Sequence, residues 1–352
     1  MIDSSEMLRK LALNFVRLSG LSALARPWTA GVGAILMLHR VTDAPGKSLG
    51  LNRHLSITPA FLDALIAEMR VDGYVFVSMD EAVERLRAGG SGPRFAALTA
   101  DDAYRDNLVE ALPVLEKHQA PLTIYVAPAL IDGAIDMWWD VVEDIVMARD
   151  RLDLQTPAGR LVLDCSTPAG KRAANARLHD YLACEVSEAE QGRALRDLAR
   201  AAGVDHDAPR RDTLMGWDDL RRIAANPLVT IGAHTVSHLN LRRLPDEVAL
   251  REVAEAASIL GDRLGHAPRH MAYPYGYAGA VGMREVGLAG EAGYVSAVTT
   301  RHGVLHRAHA SHLHALPRIS VNGRYQRLGH LRAMLSGATT PLANRGRLVV
   351  TV

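Results

Sequence analysis

The strongest constraint on this chain is a recurring pattern. Eight short, nearly continuous apolar segments are separated by longer helical stretches: Ala34 to His39, Tyr74 to Ser78, Phe95 to Thr99, Leu122 to Ala127, Leu228 to Ala233, His270 to Tyr273, Tyr294 to Thr299 and Leu316 to Val321. Strands that alternate apolar and polar residues keep one face in water. Uninterrupted apolar runs belong to strands covered on both faces, as in a parallel sheet wrapped by helices. The intervening stretches carry helix signals. Pro59 to Asp72 follows the cap-like Thr58, Asp106 to His118 comes next, and Pro245 to Leu264 has Asp246 at its start and Gly265 as its stop. Repeated strand–helix alternation with about eight strands predicts one α/β domain of distorted (β/α) barrel type. Residues 140–215 break the rhythm, with no good strand and many Ala, Arg, Leu and Glu, and read as a helical insertion. The expected organisation is a helical segment 1–33, a barrel 34–323 and a C-terminal extension 324–352.

Composition removes several function classes. The 40 Lys+Arg nearly balance 39 Asp+Glu, so no basic surface built for nucleic acid is expected. Two cysteines, Cys165 and Cys184, are too few and too distant for a disulfide scaffold or a thiolate metal site. Near the start, Met1 to Glu6 is acidic, and Arg9, Lys10, Asn14 and Arg17 interrupt the apolar residues between Leu8 and Ala25. That is not the apolar core of a signal peptide, so a cytoplasmic location is expected. Leu8, Leu11, Leu13, Val16, Leu18, Leu21 and Leu24 have the spacing of an amphipathic helix with Arg9, Lys10, Arg17 and Arg26 on its wetter side. Such a helix packs on the domain or, as the second reading, makes a peripheral contact with the inner membrane surface through residues 5–26.

Three strand ends carry residues suited to chemistry. Asp101 and Asp102 follow the Phe95 segment directly, where barrels place their active sites; a helix cap is the plainer reading of the pair. His234 and His238 follow the Leu228 segment at a spacing that sets two imidazoles on one face of a helical turn. Together with a strand-end carboxylate they form a candidate His-His-Asp metal site with open positions. Tyr273, Pro274, Tyr275 and Gly276 follow the His270 segment, where a rigid proline between aromatic rings suits a groove wall.

The order of these motifs resembles the polysaccharide deacetylase superfamily, which includes the chitooligosaccharide deacetylases of nodulation. Similar stretches run from Ala34 to Gly323, including Thr99 to Asn107, Ala120 to Ala127, Met137 to Asp140, Met215 to Asp219, Ala272 to Gly276 and Leu316 to Val321. The resemblance implies a distorted barrel that removes N- or O-acetyl groups from an acetylated glycan with one divalent metal. Zinc is the expected metal, with nickel, cobalt or manganese as alternatives. It implies Asp101 as general base, Asp102, His234 and His238 as metal ligands, and the Tyr275 backbone N–H as oxyanion donor. His39, ending the first strand, is the preferred general acid in a permuted arrangement, with His314 in reserve.

The chain departs from the family pattern at Ala100, usually Phe, at Ala103, usually Gly, and at Ala272, where an Arg normally orients the base. Arg318, at another strand segment, is the candidate substitute for that Arg. Trp138, Trp139 and Trp217 are candidate sugar-facing rings, with core packing the alternative. The close-set His302, His306, His309, His312 and His314 have irregular spacing and no carboxylate, which argues against a second metal site. The leading functional expectation is a metal-dependent deacetylase of an amino-sugar glycan. A catalytically impaired carbohydrate-binding homologue and an amide hydrolase with a non-sugar substrate are the alternatives.

Overall fold

A computed structural model describes residues 10–352 apart from Ala12, Arg17 and Pro45. The twelve strands in chain order are β1 (Gly33–Leu38), β2 (Arg40–Val41), β3 (Ser56–Ile57), β4 (Val75–Phe76), β5 (Phe95–Asp101), β6 (Leu122–Val126), β7 (Arg151–Thr156), β8 (Gly159–Asp164), β9 (Val229–Ala233), β10 (His270–Ala272), β11 (Ser296–His302) and β12 (Leu316–Ser320). Seven of them close a parallel ring in the order β1-β12-β11-β10-β9-β6-β5, and β5 pairs back onto β1 from Gly33↔Phe95 to Leu38↔Ala100. The short β4 pairs with the start of β5 and stays outside the ring. All eight segments expected from their apolar content are therefore strands, seven of them in the barrel.

Alternation along each strand splits the core in two. Ile35, Phe95, Ala97, Tyr125, Ala272, Val298 and Leu316 fall in one cluster, the barrel filling, while Ala34, Leu36, Leu38, Leu98, Ile124 and Ala233 pack against the helices. The Tyr125 ring occupies space that any side chain at position 232 would need, so Gly232 is required there. The helices start where caps direct them. Thr58 Oγ1 accepts from Phe61 N (3.1 Å) ahead of Pro59–Val71, and Gly265, at φ 87°, ends Asp246–Leu264.

The insertion has its own core, with Val142, Ile145, Leu178, Leu182 and Leu195 buried together. It is not purely helical: β7 and β8 form an antiparallel hairpin, from Arg151↔Asp164 to Thr156↔Gly159. This corrects the expectation of a strandless insertion. The hairpin is largely exposed: β7 alternates, and β8 has only the three-residue apolar run Leu161 to Leu163, shorter than the runs that mark the barrel strands.

Residues 10–18 are helical wherever described, and Leu21–Thr29 forms a second helix before β1. Leu13 and Val16 enter the main core, and Asn14 Oδ1 bonds the His330 ring (3.0 Å). The expected N-terminal helix is thus packed on the domain; Met1 to Arg9 and Arg17 lie outside the described residues. The extension after 323 also packs on the barrel, with helices Leu328–Leu335 and Thr339–Ala343. No described helix is long and apolar enough to cross a membrane.

Candidate active site

The C-terminal ends of β1, β5, β9 and β10 converge, and the loops leaving them carry the motif residues. Seven non-glycine residues among those described have positive φ, and five belong to these loops: Asp102 (69°), Ala103 (56°), Thr235 (57°), His238 (50°) and Tyr275 (63°). Left-handed backbone is unfavourable for such residues and persists only where the surroundings impose it. Its concentration here marks three loops bent to aim particular atoms.

At the end of β5 the backbone turns between two adjacent aspartates, and they separate. Asp101 faces Arg318, which is buried inside the barrel: Nη1 donates to Oδ1 and Nη2 to Oδ2, both at 2.8 Å. The same guanidinium is fixed by Nε to Thr299 O (2.9 Å) and Nη1 to Thr99 Oγ1 (3.2 Å). Burial alone would raise the Asp101 pKa, but the Arg318 charge and its hydrogen bonds hold the carboxyl far below the usual carboxylate range. Arg318, the candidate substitute for the Arg absent at Ala272, is thus brought onto Asp101.

Asp102 faces the other way. Its Oδ1 lies 3.4 Å from His238 Nε2 and 3.7 Å from His234 Nε2, and it has no hydrogen-bond partner although fully buried. Burial, with the nearby Asp101 and Asp140 charges, pushes its pKa well up. Burial lowers both histidines and keeps the rings neutral. His234 Nδ1 sits 2.7 Å from Ala272 O, which can only accept; that places the proton on Nδ1 and turns the Nε2 lone pair towards Asp102. One ligand atom from each of Asp102, His234 and His238 lies within 4.8 Å of the others. An orphaned buried carboxylate oxygen beside two imidazole lone pairs is what a divalent cation satisfies, so the donor set fits the metal implied by the motifs.

His39 follows β1. Asn107 Nδ2 donates to its carbonyl (2.9 Å), and its ring feels Asp101, Arg318 and His234. Burial lowers its pKa to about 4, against the pull of Asp101. His314 lies at the start of β12, at the opposite end of the barrel from Asp101, with Nε2 on Tyr294 O (2.7 Å). That removes the reserve candidate. Among the other clustered histidines, buried His309 bonds Val350 O (3.0 Å), and His302 bonds Thr339 Oγ1 (2.8 Å).

Tyr275 follows Pro274 in a tight turn closed by Gly276 N to Pro274 O (2.7 Å), with Thr300 Oγ1 donating to Tyr275 O (2.7 Å). Among the described residues no acceptor engages the Tyr275 N–H. Its ring stands 5.3 Å from His238, and its hydroxyl accepts from Trp138 Nε1 (3.1 Å). Trp139 lies 5.1 Å from His238 and donates to Tyr104 OH (3.1 Å). Two other aromatic assignments change. Tyr273 is buried, with its hydroxyl on His314 O (2.9 Å), so it packs instead of facing a ligand. Trp217 bonds Asp132 (2.7 Å) beneath Arg263 and is not brought to the triad.

A cavity of 280 Å³ opens beside His238, between Trp138, Leu239 and the insertion residues Gln191 and Arg196. Three residues around the centre were not singled out from sequence. Asn107 pins His39, Asp140 is a half-buried carboxylate near Asp102, and His54 is a half-buried imidazole near His39 and His179. Only Asn107 and Asp140 lay in stretches with a recognisable pattern.

The fold and site define a barrel of the polysaccharide deacetylase type. A family model described as polysaccharide deacetylase matches residues 189–293, a stretch that includes His234, His238 and the Pro274 loop, and the fold is similar to that of solved polysaccharide deacetylases. The structure is similar to the Streptococcus pyogenes deacetylase PplD in complex with acetate, at 18% identity and a TM-score of 0.55, covering 86% of this chain and 97% of that one. IcaB from Ammonifex degensii matches at 17% identity and 0.52, covering 86% and 97%. The putative polysaccharide deacetylase BA0330 from Bacillus anthracis matches at 15% and 0.54, covering 86% and 68%. No curated protein matches the sequence.

Proposed function

We propose that the chain is a metal-dependent hydrolase that removes an N-acetyl, or O-acetyl, group from an amino-sugar oligosaccharide or a polysaccharide precursor. The observation that carries this reading is the division of labour between neighbours: Asp101 clamped by Arg318, and Asp102 free to ligate with His234 and His238. A purely sugar-binding homologue has no use for a buried carboxylate held ionised beside an open ligand set.

Asp102, His234 and His238 hold the divalent cation, most simply zinc, with nickel, cobalt or manganese as substitutes. When bound, the ion polarises the acetyl carbonyl and acidifies water. Asp101, charged and oriented by Arg318, takes the proton of the attacking water. The free Tyr275 N–H stabilises the oxyanion, a contribution commonly worth about 3 kcal/mol. His39 delivers the proton to the departing amine or alkoxide. Burial keeps its ring neutral at rest, so it first receives the proton that Asp101 has taken from the water and then passes it to the leaving group. Trp138 and the 280 Å³ cavity provide the sugar-facing wall. The working location proposed is the cytoplasm or the inner membrane face, with a glycan precursor as substrate.

The deciding experiment is acetate release from N-acetylglucosamine oligomers by metal-loaded protein, with Asp101→Asn alongside. Metal-dependent release that disappears in Asp101→Asn supports the reading. Absence of release by protein that binds metal through His234 and His238 redirects it to another acyl substrate.

A further inference from the structure

The two N-terminal helices are amphipathic in an unusual sense, because both the inward and the outward faces are apolar. Inward, Leu13 and Val16 enter the main core, Asn14 bonds His330 (3.0 Å) and Thr29 Oγ1 donates to Ser336 O (2.6 Å). The segment is therefore seated on the barrel. Outward, Leu11, Phe15 and Leu18 share one face at i, i+4 and i+7, with exposures of 57%, 63% and 74%. Leu24 and Trp28 repeat the i, i+4 spacing on the second helix, at 68% and 72%. Of the twelve exposed large hydrophobic side chains among the described residues, these five fall within an 18-residue stretch. Isolated apolar side chains on a surface need no explanation, but a contiguous set marks an interaction site.

Charge selects the occupant. From Met7 to Leu38 there is no Asp or Glu, while Arg9, Lys10, Arg17 and Arg26 all fall in this span. An apolar, aromatic-bearing face in an exclusively cationic segment is complementary to the headgroup region of an anionic lipid surface, where Trp and Phe sit at the boundary and Lys and Arg meet phosphate. A second copy of the same face would bring these cations against each other with no acidic side chain from the segment to match them.

We infer that Leu11, Phe15, Leu18, Leu24 and Trp28 form a docking face for an anionic membrane surface, on which the folded barrel rests without crossing the bilayer. The second helix leads directly into the start of β1, and the metal-ligand loops lie at the far ends of the strands. Docking through Trp28 thus leaves the catalytic mouth uncovered. This inference is independent of the glycan activity.

The test is flotation of the full chain with phosphatidylcholine vesicles and with phosphatidylcholine–phosphatidylglycerol vesicles. Three results are expected together. The chain partitions onto the anionic vesicles only, and added salt weakens it. Leu18→Ser with Trp28→Ser lowers partitioning by at least about tenfold, with the thermal melt and circular dichroism of the barrel unchanged. Trp28 emission shifts to the blue on binding, and Trp28→Phe abolishes the shift. Wild-type protein that stays off anionic vesicles overturns the proposal. So does a lipid-indifferent dimer that the same substitutions convert to monomer, which would assign the face to a second copy.

Discussion

The Arg318 guanidinium meets the Asp101 carboxylate through two parallel hydrogen bonds of 2.8 Å, with both side chains buried. The pair spans the barrel from β12 to β5 and is braced by Thr299 O and Thr99 Oγ1. Lysine cannot reproduce this fork. Arg318→Lys is expected to leave metal affinity near wild type while lowering kcat by about 100-fold or more, because Asp101 loses its orientation. Arg318→Met also strands a buried charge and should cost about 3–5 kcal/mol of stability. Metal titration, steady-state kinetics and denaturant melts on the two variants separate positioning from folding.

Asp102 is orphaned in the metal-free chain, and its pKa is raised by burial and by Asp101 and Asp140. Ionised Asp102 therefore opposes folding until a cation arrives. At neutral pH the metal-free Asp102→Asn protein should melt no lower than metal-free wild type. Saturating metal should raise the wild-type stability by about 4 kcal/mol at a thousandfold excess over Kd, and raise the variant little. Paired thermal melts with and without chelator check this, and a variant that gains as much from metal as wild type would remove Asp102 from the ligand set.

Ala103 holds a left-handed conformation, φ 56°, with its methyl fully buried. Glycine at this position relieves backbone strain of about 1–2 kcal/mol. It also loses a buried methyl worth about 0.8 kcal/mol and adds flexibility to the unfolded chain. These nearly cancel, so Ala103→Gly should shift stability by no more than about 1 kcal/mol and leave metal binding intact. Equilibrium unfolding reads the first quantity and metal titration the second. The departure from the family pattern at 103 is thereby predicted to be tolerated, not a sign of lost turnover.

How much of this was legible in sequence depends on the physics of each part. The barrel strands could be read because burial on both faces demands uninterrupted apolar runs, and β5 has every residue buried. The β7–β8 hairpin escaped because its exposed strands impose no such demand. The triad could be read because ligand chemistry restricts residue type at strand ends; the choice of Asp102 over its neighbour Asp101 came from the resemblance, not from type or position. Orientation was not legible. Nothing in the Tyr273-Pro274-Tyr275 string says that the first ring turns to His314 and the second to His238. Trp217 bears the same ambiguity. His54 carries no local signal at all, because its burial comes from the approach of two distant segments, with Gly323 passing so close to Arg53 O and Ser56 O that no side chain fits at 323.

That half-buried His54, whose Nδ1 is shut off from water, sets an acid limit on the fold. Burial first, then the Arg324 and His39 charges, lower its pKa from 6.5 to about 4, and Nδ1 has no partner. Above pH 6.5 the imidazole is neutral whether the chain is folded or not, and contributes no pH dependence. Between 6.5 and about 4 the unfolded chain binds a proton that the folded chain refuses, so stability falls as pH falls. Each such group tilts the profile by up to about 1.4 kcal/mol per pH unit. His39, lowered to about 4 by its own burial, adds in the same window. His54→Gln cannot take up the proton and should flatten the decline, with its largest advantage over wild type near pH 4 and none from this cause above 7. Chemical-denaturation free energies for metal-free wild type and His54→Gln across this range provide the measurement; parallel profiles would show that His54 is freely protonated in the folded chain.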